Sequence, residues 1–223
     1  MTLFERLKAA AAEDWNAYVD HAFVRGLGDG SLPQAAFRRY LVQDYLFLIQ
    51  FARAHALAAY KSRSLADMRA AKDGLAAIVD VEMNLHLRLC ERWGLSAADV
   101  EATPEHAATV AYTRWVLDIG NSGDLLELQV ALTPCTLGYA DIGRRLAPRG
   151  AAALEAGHPY REWIGEYSGE AFQQLGRDTD AWLDDLGRRY AGEQRFAGLT
   201  AIFAKAARLE AGFWQMGLEA AQD

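Results

Sequence analysis

Residues 31–61 read SLPQAAFRRYLVQDYLFLIQFARAHALAAYK, and this stretch decides the fold class. Phe37, Leu41, Asp44, Leu48, Phe51 and His55 recur at alternating steps of four and three, the spacing that brings side chains to one face of an α-helix. Ser31, with Gln34 three residues on, has the pattern of a capping box, so the helix is expected to start there and to reach about Lys61.

The same period continues in both directions. Leu3, Leu7, Ala11, Trp15, Tyr18 and Ala22 form a first stripe, ended by Gly26-Leu-Gly-Asp-Gly30. Ser64 is placed to cap a long third helix that Gly94 ends, and Ser96 starts a short one. Thr103-Pro104 opens another, stopping at Gly120-Asn-Ser-Gly123, and Asp124 starts a helix reaching Leu146 with Pro134 inside it. After a loop from Ala147 to Pro159, helices are expected over about 160–175, 177–191 and 193–220. About nine helices and no convincing strand make the chain all-α. With no Pro-, Gly- or Ser-rich linker, 1–223 reads as a single-domain helical bundle.

Composition narrows the function classes. Of 223 residues 52% are hydrophobic and 24% charged, a globular balance that excludes global disorder. The net charge of −7 speaks against a nucleic-acid or membrane-surface binder, because phosphate binding needs a basic face. The two cysteines, Cys90 and Cys135, cannot form a disulfide framework and make no CxxC pair. The N-terminal pattern carries Glu5, Glu13 and Asp14 and so is not a signal peptide, and no apolar run is long enough to span a bilayer. The cytoplasm is the expected location.

Acids that interrupt apolar stripes carry the functional information. Asp44 lies between Leu41 and Leu48, where an ionised carboxylate must be paired or hydrogen-bonded to offset several kcal/mol of burial cost. Glu210 interrupts the stripe Phe196, Leu199, Phe203, Ala206, Phe213 and stands beside Trp214. Apolar surroundings raise a carboxyl pKa and suit it to proton transfer near neutral pH. Glu82 is a third case, with His86 one turn on; an internal Glu82–His86 hydrogen bond or ion pair is expected. Cys135 shares a stripe with Leu128, Leu132, Tyr139 and Ile142 directly after Pro134. Proline is expected to kink or restart the helix near Thr133, putting Cys135 in a first turn where the helix-end potential favours a thiolate. An inert core thiol and a nucleophile are both open for Cys135; Cys90 reads as inert. Tyr112 and Tyr167 lie on aromatic stripes. Two carboxylates, a thiol and tyrosines in one aromatic pocket would suit a flat, neutral or mildly basic heterocycle.

Five segments together resemble the thiaminase II (TenA) family: HAFVRGLGDGSLPQAAFRRYLVQDYLFL at 21–48, VEMNLH at 81–86, ALTPCTLGYADIG at 131–143, HPYREWIGEYSGEAF at 158–172 and ARLEAGFWQMGL at 207–218. The resemblance covers nearly the whole chain in order. It implies a haem-oxygenase-like all-α fold, a homotetramer, and no haem, metal or other cofactor. It further implies an aminopyrimidine aminohydrolase of thiamine salvage that converts 4-amino-5-aminomethyl-2-methylpyrimidine to the 5-hydroxymethyl compound and ammonia, with thiamine cleavage as a secondary activity. By the same resemblance Cys135 is the nucleophile, Glu210 the acid/base and Asp44 the pyrimidine-binding carboxylate, with Tyr112, Tyr139 and Tyr167 lining the pocket. Phe47 stands where a Tyr is frequent, and Asp141 where Glu is. The competing expectations are a metal-dependent oxygenase using Glu82, His86 and His55, and a non-catalytic pyrimidine-binding regulator.

Overall fold

A computed structural model describes residues 1–148 and 154–221. Twelve α-helices and no strand lie among them. They are α1 (Leu3–Ala10), α2 (Ala12–Val19), α3 (Ala22–Asp29), α4 (Gln34–Lys61), α5 (Leu65–Ala76), α6 (Met83–Arg92), α7 (Ala97–Ala102), α8 (Ala107–Ser122), α9 (Leu125–Leu146), α10 (Arg161–Ser168), α11 (Glu170–Tyr190) and α12 (Phe196–Glu219). A π-helical segment, Ala77–Glu82, joins α5 to α6, and a short 3₁₀ turn, Glu193–Arg195, precedes α12. Of the expected loop from Ala147 to Pro159, residues 149–153 lie outside the described residues.

Contacts divide the helices into two compact units: Met1–Pro33 with Val130–Trp214, and Gln34–Gln129 with Gln215–Asp223. The first unit is built on aromatics. Trp15 stacks on Phe203 with centroids 5.6 Å apart, and Phe23 stacks on Trp214 at 4.8 Å. All four are buried, and a fully buried side chain of this class contributes about 1.5–3 kcal/mol of transfer free energy. In the second unit α5, α6, α7 and α8 pack against α4. From Gln43 to Leu48 every α4 residue is buried, so the middle of α4 is covered all round rather than on the single stripe that the sequence suggested.

Several boundaries differ from expectation, each for a local reason. The first helix is divided: Thr2 caps α1 with a capping box to Glu5, Ala11 and Asp20 break the helical backbone, and the His21 ring caps α3. Helix α3 continues through Gly26 and ends at Gly30, whose φ of 79° is a left-handed conformation that glycine adopts without strain. Ser31 does not start α4. Its amide donates to Asp29 Oδ1 at 2.9 Å, and α4 begins at Gln34, after Pro33. The caps at Ser64 and Ser96 are as expected. Helix α8 opens at His106 rather than Thr103 and ends at Ser122, within the expected stop at 120–123. The break between α10 and α11 falls at Gly169, not near Gly176, because Gly176 packs closely on the Ala140 methyl. Helix α9 runs through Pro134 without restarting.

Candidate active site

In the second unit Asp44 sits in mid-α4 and is 4% exposed. Its Oδ2 accepts two hydrogen bonds, from the Tyr40 hydroxyl one turn earlier at 2.8 Å and from His86 Nε2 at 2.6 Å. The other nitrogen of His86, Nδ1, meets the Glu82 carbonyl oxygen at 3.0 Å. A carbonyl only accepts, so Nδ1 carries a proton; a carboxylate also only accepts, so Nε2 carries the second. Burial by itself would strip a proton from His86, which is 0% exposed, yet the Asp44 carboxylate outweighs it and the pKa stands raised to about 9. Asp44 and His86 therefore form a buried ion pair near neutral pH. His86 does not pair with the Glu82 carboxylate as expected; it bonds the Glu82 main chain. The π-helical segment ends at Glu82. Its wide turn changes the register, leaving Glu82 half-buried and turning Leu85, His86, Leu89 and Cys90 inward.

Phe47 lies one turn beyond Asp44, its ring 5.0 Å from that of Tyr112 on α8. Gln43 sets this pairing. Its Oε1 accepts from the His106 amide at 2.8 Å and from Thr109 Oγ1 at 2.6 Å, while Nε2 donates to the Pro104 carbonyl at 3.0 Å. These bonds tie the start of α8 to α4. Gln43 was not anticipated. The available signal was a Gln-Asp pair inside an otherwise apolar run. Burial, then the Asp44 charge, push the Cys90 thiol up to about 11, so it is an inert thiol, as expected.

In the first unit Cys135 is half-buried on α9, one turn before buried Tyr139. The Tyr139 ring is 4.9 Å from Tyr167 and 5.3 Å from Trp214. Glu210, 2% exposed, lies one turn before Trp214 on α12. Because α9 is unbroken at Pro134, Cys135 is in mid-helix, and the expected thiolate stabilisation from a new helix end is withdrawn. The Tyr18 hydroxyl donates to the Pro134 carbonyl at 3.2 Å, and the Tyr18 ring lies where a side chain on Gly138 would be. Gly143 likewise gives way to the main chain at Tyr167. Gln173 Nε2 then bonds the Ala140 and Tyr167 carbonyls at 2.9 and 2.7 Å, fixing Tyr167 beside α9. Asp141 accepts from Arg144 and Arg145, each at 2.9 Å, and so is held by charge on α9.

Each unit thus gathers its own share of the expected site: Asp44, Phe47 and Tyr112 in one, Cys135, Tyr139, Tyr167 and Glu210 in the other. The donors to Asp44 are Tyr40 and His86. Among the described residues no three His, Cys, Asp or Glu side chains cluster to hold a metal ion. His86, offered as a ligand in the oxygenase alternative, has both ring nitrogens engaged.

The model of the TENA/THI-4/PQQC family matches residues 8–220. The chain belongs to that family. An aminopyrimidine aminohydrolase of Halalkalibacterium halodurans is 37% identical over 217 residues, covering 97% of this chain and 95% of that protein. The crystal structure of a TenA family transcription regulator from Silicibacter sp. TM1040 superposes with a TM-score of 0.90 at 45% identity, covering 97% of this chain and 96% of that one. A domain of unknown function with a heme oxygenase-like fold from Shewanella denitrificans, 14% identical, superposes at a TM-score of 0.74 over 98% of this chain and 93% of that one. At that identity it speaks to the fold alone, and the all-α, haem-oxygenase-like class of this family member stands.

Proposed function

We propose that this TenA-family chain is an aminopyrimidine aminohydrolase of thiamine salvage, acting in the cytoplasm as one domain over 1–223. The supporting observation is the near full-length similarity to a relative of that name, in a chain with a thiol at Cys135 and a buried carboxyl at Glu210. The family match crosses from one unit to the other without a break, in keeping with a single working domain.

The chemistry assigns the roles. An amine on a 5-CH2 arm leaves a neutral aromatic ring badly. Addition of the Cys135 thiolate at ring C6 forms an S–C bond and breaks aromaticity, so the ring becomes electron-rich. The C–N bond then breaks, the amine takes the bonding pair and a proton, and C5 gains an exocyclic methylene. Water adds to the methylene, the S–C bond breaks, the thiolate leaves and the 5-hydroxymethyl pyrimidine remains. Glu210 moves the protons at the ring and the departing amine. Asp44 orients the amidine edge, while Phe47, Tyr112, Tyr139 and Tyr167 offer ring faces and hydroxyls. Thiamine, with the same pyrimidine half, is the secondary substrate. Tyr60, Leu65, Met68, Val79 and Val81 are exposed apolar side chains suited to a contact between copies in the homotetramer, which light scattering checks.

The test is ammonia release from 4-amino-5-aminomethyl-2-methylpyrimidine, run beside thiamine, with wild type and Cys135→Ser. Turnover by the wild type that Cys135→Ser abolishes, with pyrimidine binding retained, is expected. Substantial activity in Cys135→Ser overturns covalent catalysis. Pyrimidine binding by the wild type without ammonia release indicates a non-catalytic binder.

A further inference from the structure

We propose that His86 is a positioning residue for Asp44: with Tyr40 it occupies one carboxylate oxygen, Oδ2, and holds the other, Oδ1, as an ionised acceptor for the amidine edge of an aminopyrimidine. This rests on the aminopyrimidine function proposed above.

Three observations carry it. Both protein donors fall on the same oxygen, the Tyr40 hydroxyl at 2.8 Å and His86 Nε2 at 2.6 Å. Among the described residues no protein group donates to Oδ1. A buried carboxylate has lone pairs on both oxygens to satisfy, so a carboxylate served on one side only is an acceptor waiting for a partner. Secondly, His86 is anchored by a main-chain atom, the Glu82 carbonyl at 3.0 Å. The ring therefore cannot turn to follow Asp44, and the carboxylate takes its orientation from the ring. Thirdly, the anchor comes from the last residue of the π-helical segment. Such wide turns cost regular hydrogen bonding and are commonly kept where they place a functional group.

The surrounding titratable groups agree. On α4 they are Asp44 and Tyr40, and Tyr45, whose hydroxyl is engaged by Glu101 of α7 at 2.9 Å. Half-buried Glu82 adds negative charge that favours the imidazolium. On α6, Cys90 is kept neutral by burial and by Asp44. No cation other than His86 acts on the pair among these groups. Removing His86 leaves a buried carboxylate with Tyr40 as its remaining partner, free to turn in its site. The expected loss is in substrate affinity, because the amidine edge meets a poorly aimed acceptor, and not in the thiolate chemistry at Cys135.

The experiment uses the full chain. Wild type, His86→Gln and Tyr40→Phe are compared for ammonia release from the aminomethyl pyrimidine between pH 6 and 10. The ring nitrogens of 15N-histidine-labelled wild type and Asp44→Asn are observed by NMR. His86→Gln is expected to raise KM by about tenfold to a hundredfold, the scale of a charged hydrogen bond, with a much smaller fall in kcat. The wild type alone should show KM rising near and above about pH 9, where His86 loses its proton. One histidine of the wild type should carry protons on both ring nitrogens at pH 7.5 and lose one in Asp44→Asn, a readout that needs neither turnover nor a His86 variant. An active wild type beside an unimpaired His86→Gln, equal losses in kcat and KM, or a neutral His86 at pH 7.5 each overturn the assignment to His86. A wild type that neither binds nor converts the pyrimidine overturns the proposed function, and the substrate-facing role of Oδ1 with it.

Discussion

Acidification should destabilise the second unit through His55, and the size of the effect follows from one cause. His55 lies on α4, 7% exposed, with its ring edge-on to Phe51 at 5.0 Å. Its Nδ1 is buried with no hydrogen-bond partner, and Gly74 of α5 leaves room for the ring where any side chain would collide with it. Burial lowers its pKa from 6.5 to about 4. A histidine depressed in the folded state leaves stability intact above pH 6.5 and removes it as pH falls towards 4, because the unfolded chain takes up the proton first. The full shift corresponds to about 3 kcal/mol, of which about 2 kcal/mol is lost by pH 5. The perturbation is His55→Leu, which keeps an apolar side chain beside Phe51 and has nothing to protonate. Urea unfolding followed by far-ultraviolet circular dichroism at pH 7 and pH 5 measures it. Wild type should lose about 2 kcal/mol more than His55→Leu between the two pH values. Parallel losses in both proteins would refute the assignment of acid sensitivity to His55.

Other perturbations probe the parts that aim the site. Gly143→Ala should cost about 1–3 kcal/mol despite the better helix propensity of alanine, because the new methyl meets the main chain at Tyr167 rather than a movable side chain; thermal unfolding reports the loss, and KM should rise as Tyr167 is displaced. Tyr18→Phe removes the bond to the Pro134 carbonyl and should cost about 1 kcal/mol, a drop of about 2–4 °C in Tm for a chain of this size. Glu210→Gln should lower kcat strongly with a modest change in affinity; equal effects on both would assign Glu210 to binding alone.

The all-α class was legible because periodicity is a local property, and the helices from Gln34 to Lys61 and from Leu125 to Leu146 fall close to where the stripes place them. Glycines misled where close packing overrides their helix-breaking tendency. Gly176 stays helical against Ala140. The burial of Asp44 and Glu210 was legible from their apolar neighbours. The partner of Asp44 was not. His86 is 42 positions away, and the π-helical turn ahead of it breaks the 3.6-residue register on which any stripe depends. Pro134 was over-read in the same way: the residue type marks a missing amide, but whether a helix restarts there depends on what packs around it, and Tyr18 packs there.

His55 and His86 also shape the proton balance of folding in the second unit. Near pH 6.5 each is about half-protonated in the unfolded chain. On folding His86 takes up about half a proton and His55 gives up about half. Their contributions cancel there, so the heat of folding that they add should not depend on the ionisation enthalpy of the buffer. On either side of that pH one exchange outweighs the other, and the second unit becomes a net donor or acceptor of protons as it folds.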